Sequence, residues 1–412
     1  MRLKKPWWIV VGSVLGLIVG NGPIMQFTFG VLLKPISDEF KWDRATVSSA
    51  IVVGLCMTGL MSPVVGAIAD RRGIRPIALP AIILFALTVA LVSLVPASVP
   101  LFIALYAVMG IFAAGQTPLI YAKSISANFD ERRGLALGIA MAGVGLGAAL
   151  VPQFAQVLTT RFGWRGAYVG LGVLTFVVAF PAVALFLREA VPTTAGTAGR
   201  TAILPGLTGL EALKTRQFWI LAFAFFAVAA AANGAIAHVI PLLTDRGVSP
   251  QLATYALSTA GLALILGRLF AGYLLDRVFA PYVALVFFLL PLLGILILYS
   301  TTSTTVAALA TVLIGMGLGA EVDLIAFLIS RYLGMRFFGE IYGFLFALFM
   351  LANGLGPFLM GLTFDRAGSY NPCLIGFAIG LVCASAIILR LGPYPYPVHI
   401  GGSSADFGKL IG

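Results

Sequence analysis

Gly66-Ala67-Ile68-Ala69-Asp70-Arg71 returns as Gly272-Tyr273-Leu274-Leu275-Asp276-Arg277, an offset of 206 (272 − 66) in a chain of 412 residues. Gly134 pairs in the same way with Gly339, Gly138 with Gly343, Pro152 with Pro357, Arg161 with Arg366 and Gly163 with Gly368, all at an offset of 205 (339 − 134). Near the start of each half, Trp8 answers Trp219, and Asn21-Gly22 answers Asn233-Gly234. The chain therefore repeats itself at half its length. Membrane carriers built from two such halves place their substrate site where the halves meet.

Composition says what the halves are made of. Sixty per cent of the residues are hydrophobic, ten per cent are charged, and the mean hydropathy is +1.04. Soluble domains carry roughly a quarter charged residues, whereas a helix of about 20 apolar residues crosses a bilayer. Twelve such segments are expected, near 7–33, 46–69, 74–96, 99–122, 134–158, 166–187, 218–243, 251–275, 281–300, 304–328, 339–364 and 371–391. The expected fold is an all-α membrane protein of two pseudo-symmetric six-helix bundles. Residues 1–187 form the first bundle, 188–217 a linker, 218–391 the second bundle and 392–412 a tail. A β-barrel is excluded because barrel strands alternate polarity over about ten residues. Within the linker, Leu207 to Thr215 is read as a short surface helix.

A net charge of +11 raises the question of a nucleic-acid partner, and the placement of the basic residues answers it. With twelve spans, eighteen of the 26 lysines and arginines fall in tails and loops on the side of the termini, seven fall on the other side, and Arg268 lies within a segment. That is the positive-inside bias. It predicts cytoplasmic termini in a multi-pass cell (inner) membrane protein and needs no nucleic acid. Lys4 and Lys5 before an apolar run resemble a signal peptide, but no small-residue cleavage site follows, so the first segment is read as a retained helix. Cys56, Cys373 and Cys383 all fall in apolar segments, which argues against disulfides and metal ligation. The strings Gly143-Val144-Gly145-Leu146-Gly147 and Gly315-Met316-Gly317-Leu318-Gly319 lack the strand that a dinucleotide fingerprint needs, and read as helix-packing glycines. No cofactor is expected. Nor is an enzyme, since no nucleophile, base or metal set converges.

Gly66-Ala67-Ile68-Ala69-Asp70-Arg71-Arg72-Gly73-Ile74-Arg75 resembles the loop signature between helices two and three of the major facilitator superfamily. The weaker copy at Gly272 to Arg277 falls between helices eight and nine, where that family carries its second copy. The resemblance covers the whole chain and implies a carrier working by alternating access. It implies a cytoplasmic gate of Gly66, Asp70, Arg71, Gly73, Arg75, Asp276 and Arg277. Within the family, Asp130-Glu131-Arg132-Arg133-Gly134 and Gly267-Arg268 are similar to the monocarboxylate and oxalate–formate carriers. Those carriers hold a substrate carboxylate on a helix-eight arginine. Departures matter too: Phe349 stands where the oxalate carriers have a lysine, and Leu264 where animal monocarboxylate carriers have an acid. Gln26, Phe27 and Thr28 offer no helix-one lysine.

Charges inside membrane helices cost about 2.5–3.5 kcal/mol each on insertion scales and mark pathways. Arg268 lies eight residues before Asp276, and Glu321 and Asp323 lie ten and eight before Arg331, so all three share a depth. Arginine's planar fork suits a carboxylate. The expected site holds Arg268, Tyr121, Asn233, Asn21, Phe327 and Phe349 around the substrate, with Phe27 and Phe346 on the apolar wall. Asp323, Glu321 and His238 are candidates for proton coupling. In the empty carrier Arg268 is expected to pair with one of the two carboxylates. Packing roles are the alternative for each of these residues: a fixed Arg268 ion pair, and Tyr121, Asn21 and Asn233 as bonds between helices. Lys123 and Arg132 are read as ordinary cytoplasmic charges. The leading function is a monomeric, proton-coupled carrier of a small organic anion such as lactate or pyruvate. Proton-driven export of lipophilic or cationic compounds, and organic-anion exchange, are the alternatives.

Overall fold

A computed structural model describes residues 6–42, 44–187, 205–300 and 303–396. Among the described residues ten apolar helices are long enough to cross a membrane, and two features bring the tally of spans to twelve. The 54-residue helix Arg133–Phe186 is divided by Gly163, whose φ of 70° and ψ of 175° leave the helical region. Pro250–Leu275 supplies the other span. We label the spans α1 (Trp7–Phe40), α2 (Arg44–Arg72), α3 (Arg75–Leu91), α4 (Val99–Asn128), α5 (133–162) and α6 (164–186). The second half holds α7 (Arg216–Ala237), α8 (Pro250–Leu275), α9 (Ala280–Ser300), α10 (Thr304–Tyr332), α11 (Phe338–Ala367) and α12 (Asn371–Leu391).

Packing repeats with the sequence. In the first half α1 lies on α5, α2 on α4 and α3 on α6; in the second, α7 lies on α11, α8 on α10 and α9 on α12. Between the halves, α2 meets α11 and α5 meets α8. In lipid there is little hydrophobic drive to join helices, so close backbone approach decides the contacts. Gly143 and Gly147 of α5 sit against the backbone of Val14 and Ile18, and Gly356 of α11 sits against Ala230. The outward faces carry exposed Leu60, Val177, Leu266 and Ile379, as a lipid-facing belt requires.

Three spans are broken, each near a proline. Pro23 lacks an N–H and crowds the preceding turn, and α1 widens there into a π-helical stretch, Gly22–Phe27. In α4 a 3₁₀ turn, Ala114–Gln116, precedes Pro118. His238 separates α7 from its continuation Val239–Asp245, which contains Pro241.

Part of the linker is described. Leu207 N donates to Leu333 O (2.9 Å) and Met335 N to Pro205 O (2.9 Å), fastening it to the α10–α11 turn. The surface helix is shorter than expected, Gly209–Leu213, and is started by a reciprocal Thr208–Glu211 capping box. Lys4, Lys5, residues 188–204 of the linker and 397–412 of the tail lie outside the described residues. Below, the linker face means the side of the protein bearing this segment.

Candidate functional site

The two copies of the repeated motif perform the same act on opposite halves. Asp70, at the end of α2, accepts hydrogen bonds from Gly339 N (2.9 Å) and Glu340 N (2.8 Å) at the start of α11. Asp276, just past α8, accepts from Gly134 N (2.7 Å) and Leu135 N (2.8 Å) at the start of α5. The first N–H groups of a helix have no partner within it, and its amino end attracts negative charge. Each aspartate satisfies such a terminus in the other half. Burial pushes the Asp276 carboxyl above its ordinary 3.8, against the lowering effect of the Leu135 and Gly134 amides. Gly66 and Gly339, and Gly134 and Gly272, touch backbone to backbone, and a Cβ would not fit there. This is why glycine stands at both ends of each contact.

The other residues of the repeated motif lie nearby. Gly73, with φ of 89°, ends α2 in a conformation that side chains disfavour. Arg75 donates to Leu187 O (2.8 Å) and Ala184 O (2.9 Å), tying α3 to α6 within the first half. Arg71 is exposed, and the Arg277 guanidinium lies 4.2 Å from the Tyr273 ring centre. Lys123 is more than the ordinary cytoplasmic charge expected from sequence: within the first half it pairs with Asp70 at 2.7 Å and donates to Ala69 O. Its charge is needed because the Asp70 side chain is 1% exposed. Further bonds between the halves run from Arg331 to Asp130 (3.1 Å) and from Arg133 Nη1 to Ser330 Oγ (2.8 Å). Among the described residues, the hydrogen bonds joining the halves all lie between the level of Arg268 and the linker face. The protein is closed on that face.

Arg268 sits at the top of this closure, 5% exposed. Gly319 of α10 lets α8 approach closely, and Arg268 Nε donates to Gly319 O at 3.0 Å. Nη1 donates to Met141 O of α5 at 2.5 Å, across the boundary between the halves. The expected ion pair is not formed: no carboxylate oxygen lies within 4.0 Å of the guanidinium among the described residues. All four oxygens of Glu321 and Asp323 are buried without a hydrogen-bond partner, yet both groups are close enough to act on Arg268 electrostatically. Asp323 lies one turn from Gly319, so it shares the α10 face on which Arg268 is bound. That face continues through Phe327, over which Arg331 lies at 5.4 Å, to the gate. Glu321, two residues from Gly319, is turned about 200° away from that face.

The remaining candidates divide. Phe327 (3% exposed) and Phe349 (7%) are buried, the latter stacked on Phe346 at 5.8 Å; Phe27 is exposed. Tyr121 packs against Gly16 of α1 and donates to Gln116 Oε1 (3.1 Å), inside the first half. Asn233 Nδ2 donates to Ala229 O (2.9 Å) and to Asn353 Oδ1 of α11 (2.5 Å). Both therefore join helices in this state. Asn21 stands 8% exposed at the start of the π-helical stretch, making no cap hydrogen bond there. His238 lies at the α7 break with its ring 5.5 Å from Tyr370 and Nδ1 unpartnered, away from Arg268's hydrogen-bond partners. Tyr342, also buried with an unpartnered hydroxyl, was missed: in sequence it is one more aromatic in an apolar span.

Comparisons with known proteins agree with this architecture. Residues 15–357 match the family model described as Major Facilitator Superfamily. Among curated proteins, the chain is 27% identical over 399 residues to monocarboxylate transporter 11 of Mus musculus, covering 93% of this chain and 85% of that protein. It is 27% identical to monocarboxylate transporter 13 of Rattus norvegicus (93% and 88% covered) and 25% identical to the MFS-type transporter YcxA of Bacillus subtilis (93% and 94%). Similar solved structures include the fucose:proton symporter FucP of E. coli (TM-score 0.73, 13% identity, 94% and 100% covered) and the human organic anion transporter MFSD10 (TM-score 0.72, 16%, 94% and 100%). Two six-helix halves, a repeated gate motif and a family match across most of the chain lead to one conclusion: this protein belongs to the major facilitator superfamily of membrane transporters.

Proposed function

We propose that this transporter carries a small monocarboxylate together with a proton, with Arg268 as the partner of the carboxylate and the linker face in the cytoplasm. One observation carries the reading. Arg268 is a buried guanidinium at the meeting of the halves, and its hydrogen-bond partners are neutral carbonyls. Carbonyls solvate a cation but leave its charge uncompensated, so an arriving carboxylate exchanges weak partners for a bidentate one. Asp323, unpartnered on the same face, is the group that takes up the accompanying proton, with Glu321 as its neighbour in the helix. Phe327, Phe346 and Phe349 line the path of the alkyl end. Relatives named as monocarboxylate transporters support the substrate class.

The test is uptake into proteoliposomes with labelled carboxylates, with and without an inward acid gradient. Saturable uptake stimulated by the gradient is expected. Arg268→Gln should abolish it, and Arg268→Lys, which loses the fork, should leave a weak remnant. Full uptake by the Gln variant ends the assignment. A second reading, proton-driven export of cationic or lipophilic compounds, is favoured by the four unpartnered oxygens of Glu321 and Asp323. It predicts cation-dye export and no carboxylate uptake in the same vesicles.

A further inference from the structure

Past the end of α12 the chain turns back onto the protein. Gly392, with φ of 70°, makes the turn in a conformation that side chains disfavour. Tyr332 Oη then donates to Gly392 O at 2.6 Å, and Tyr396 N donates to Arg331 O at 3.3 Å, so the segment is tied to the end of α10 at both of its ends. Between these ties the Tyr394 hydroxyl accepts from Ala280 N at 2.7 Å. Ala280 opens α9, and the first N–H groups of a helix have no partner within it, so the tail caps that helix. The Tyr394 ring packs on Phe279 and Tyr332, with ring centres 4.9 and 5.4 Å away. All of these partners belong to the second half, so the segment rides with that half.

Its reach extends to the gate through one side chain. The Arg331 guanidinium lies 5.8 Å from the centre of the Tyr394 ring and 5.4 Å from that of Phe327, and it meets Asp130 of the first half at 3.1 Å. Aromatic faces attract a cation at this range. The Arg331–Asp130 pair is partly exposed, at 18% and 36%, and such pairs contribute little when a long side chain must first be ordered. Here two rings supply the order. The repeat does not supply it: at the offset of 205, the counterpart of Arg331 is Ser126 (331 − 205). We infer that residues 392–396 are a brace on the gate, holding Arg331 toward Asp130 and so favouring closure of the linker face from outside the transport path. The brace acts whatever the carrier moves.

The experiment is hydrogen–deuterium exchange of the full-length protein in lipid nanodiscs, compared with Tyr394→Ala and Tyr394→Phe. Gly134, Leu135, Gly339 and Glu340 donate their amides across the gate, so their exchange reports its opening even when opening is rare. Tyr394→Ala should speed all four by about two- to fivefold, the range of one partly exposed ion pair. Tyr394→Phe keeps the ring beside Arg331 and should retain most of the protection. The amides of Leu207 and Met335, bonded within the second half, are controls and should keep their rates. With Asp130→Asn already present, Tyr394→Ala should add nothing, because Arg331 then has no charge to be held toward. Unchanged exchange at the four gate amides in Tyr394→Ala overturns the inference. Equal speeding of the controls does so too, since it marks loosened packing at the end of α10. A Phe variant as fast as the Ala variant assigns the effect to the α9 cap, and full extra speeding beside Asp130→Asn assigns it to another route; either result ends the brace.

Discussion

Adding a single methyl group at Gly66 should prise the linker face open. The Cβ of an alanine there would stand 1.9 Å from Gly339 O, 2.3 Å from Gly339 C and 2.8 Å from Glu340 N, all backbone atoms that cannot swing aside. Cβ contacts under 3.0 Å essentially do not occur, so α2 and α11 must part by at least 1.1 Å (3.0 − 1.9). The two hydrogen bonds holding Asp70 to α11, at 2.9 and 2.8 Å, do not survive a separation of that size without rearrangement. Hydrogen bonds to charged groups contribute about 1.5–3 kcal/mol each, so Gly66→Ala should cost the closed state about 3–6 kcal/mol. At 1.4 kcal/mol per tenfold, that shifts the balance toward the open linker face by a factor of roughly 10² to 10⁴. Spin labels at Arg72→Cys and Arg336→Cys, both exposed on the linker face, report the change as a longer distance after removal of Cys56, Cys373 and Cys383. Gly354→Ala, whose Cβ would meet nothing within 4 Å, is the control and should leave the distance unchanged. Identical distance distributions in Gly66→Ala and the control would refute the claim that backbone contact here holds the gate.

Asp70 and Asp276 should not respond alike. Asp70→Asn strands Lys123 and should open the linker face strongly, whereas Asp276→Asn removes a charge whose burial is already unfavourable and should open it less; the same spin-label pair measures both. Because the closed gate raises the Asp276 carboxyl above 3.8, that state binds the proton more tightly; its contribution to closure is present at acid pH and lost as pH rises through the raised value. Distances recorded from pH 4 upward, read against Asp276→Asn, should show that component vanish in the variant. Asn233→Ala cuts the α7–α11 link and should lower thermal stability by about 1 kcal/mol with little effect on the KM for substrate; a large KM change with unaltered Tm would return Asn233 to the binding site.

The architecture was readable because lipid imposes simple demands. Long apolar runs, a charge bias between loops and a doubled Gly–Asp–Arg motif are visible without any tertiary contact, and the Asp70 and Asp276 pairings follow from that doubling. Depth along the helices was also readable, and it set Arg268, Glu321 and Asp323 at a similar level. Partner choice was not. Which acceptor Arg268 uses depends on how closely Gly319 lets α8 and α10 approach, and that is a property of the packed pair. Lys123 looked like a loop charge because its partner is about fifty residues away, and Tyr342 looked like bulk because one oxygen does not change the hydropathy of a span.

The bond from Arg268 to Met141 carries a kinetic consequence. On the proposed function, one side chain both receives the cargo and rivets the two halves, so a vacant carrier is bolted in the orientation seen here and loading draws the bolt. The return journey without cargo is then the slow leg of the cycle. Vesicles preloaded with unlabelled substrate should therefore take up label faster than empty ones, and equal rates would refute the idea.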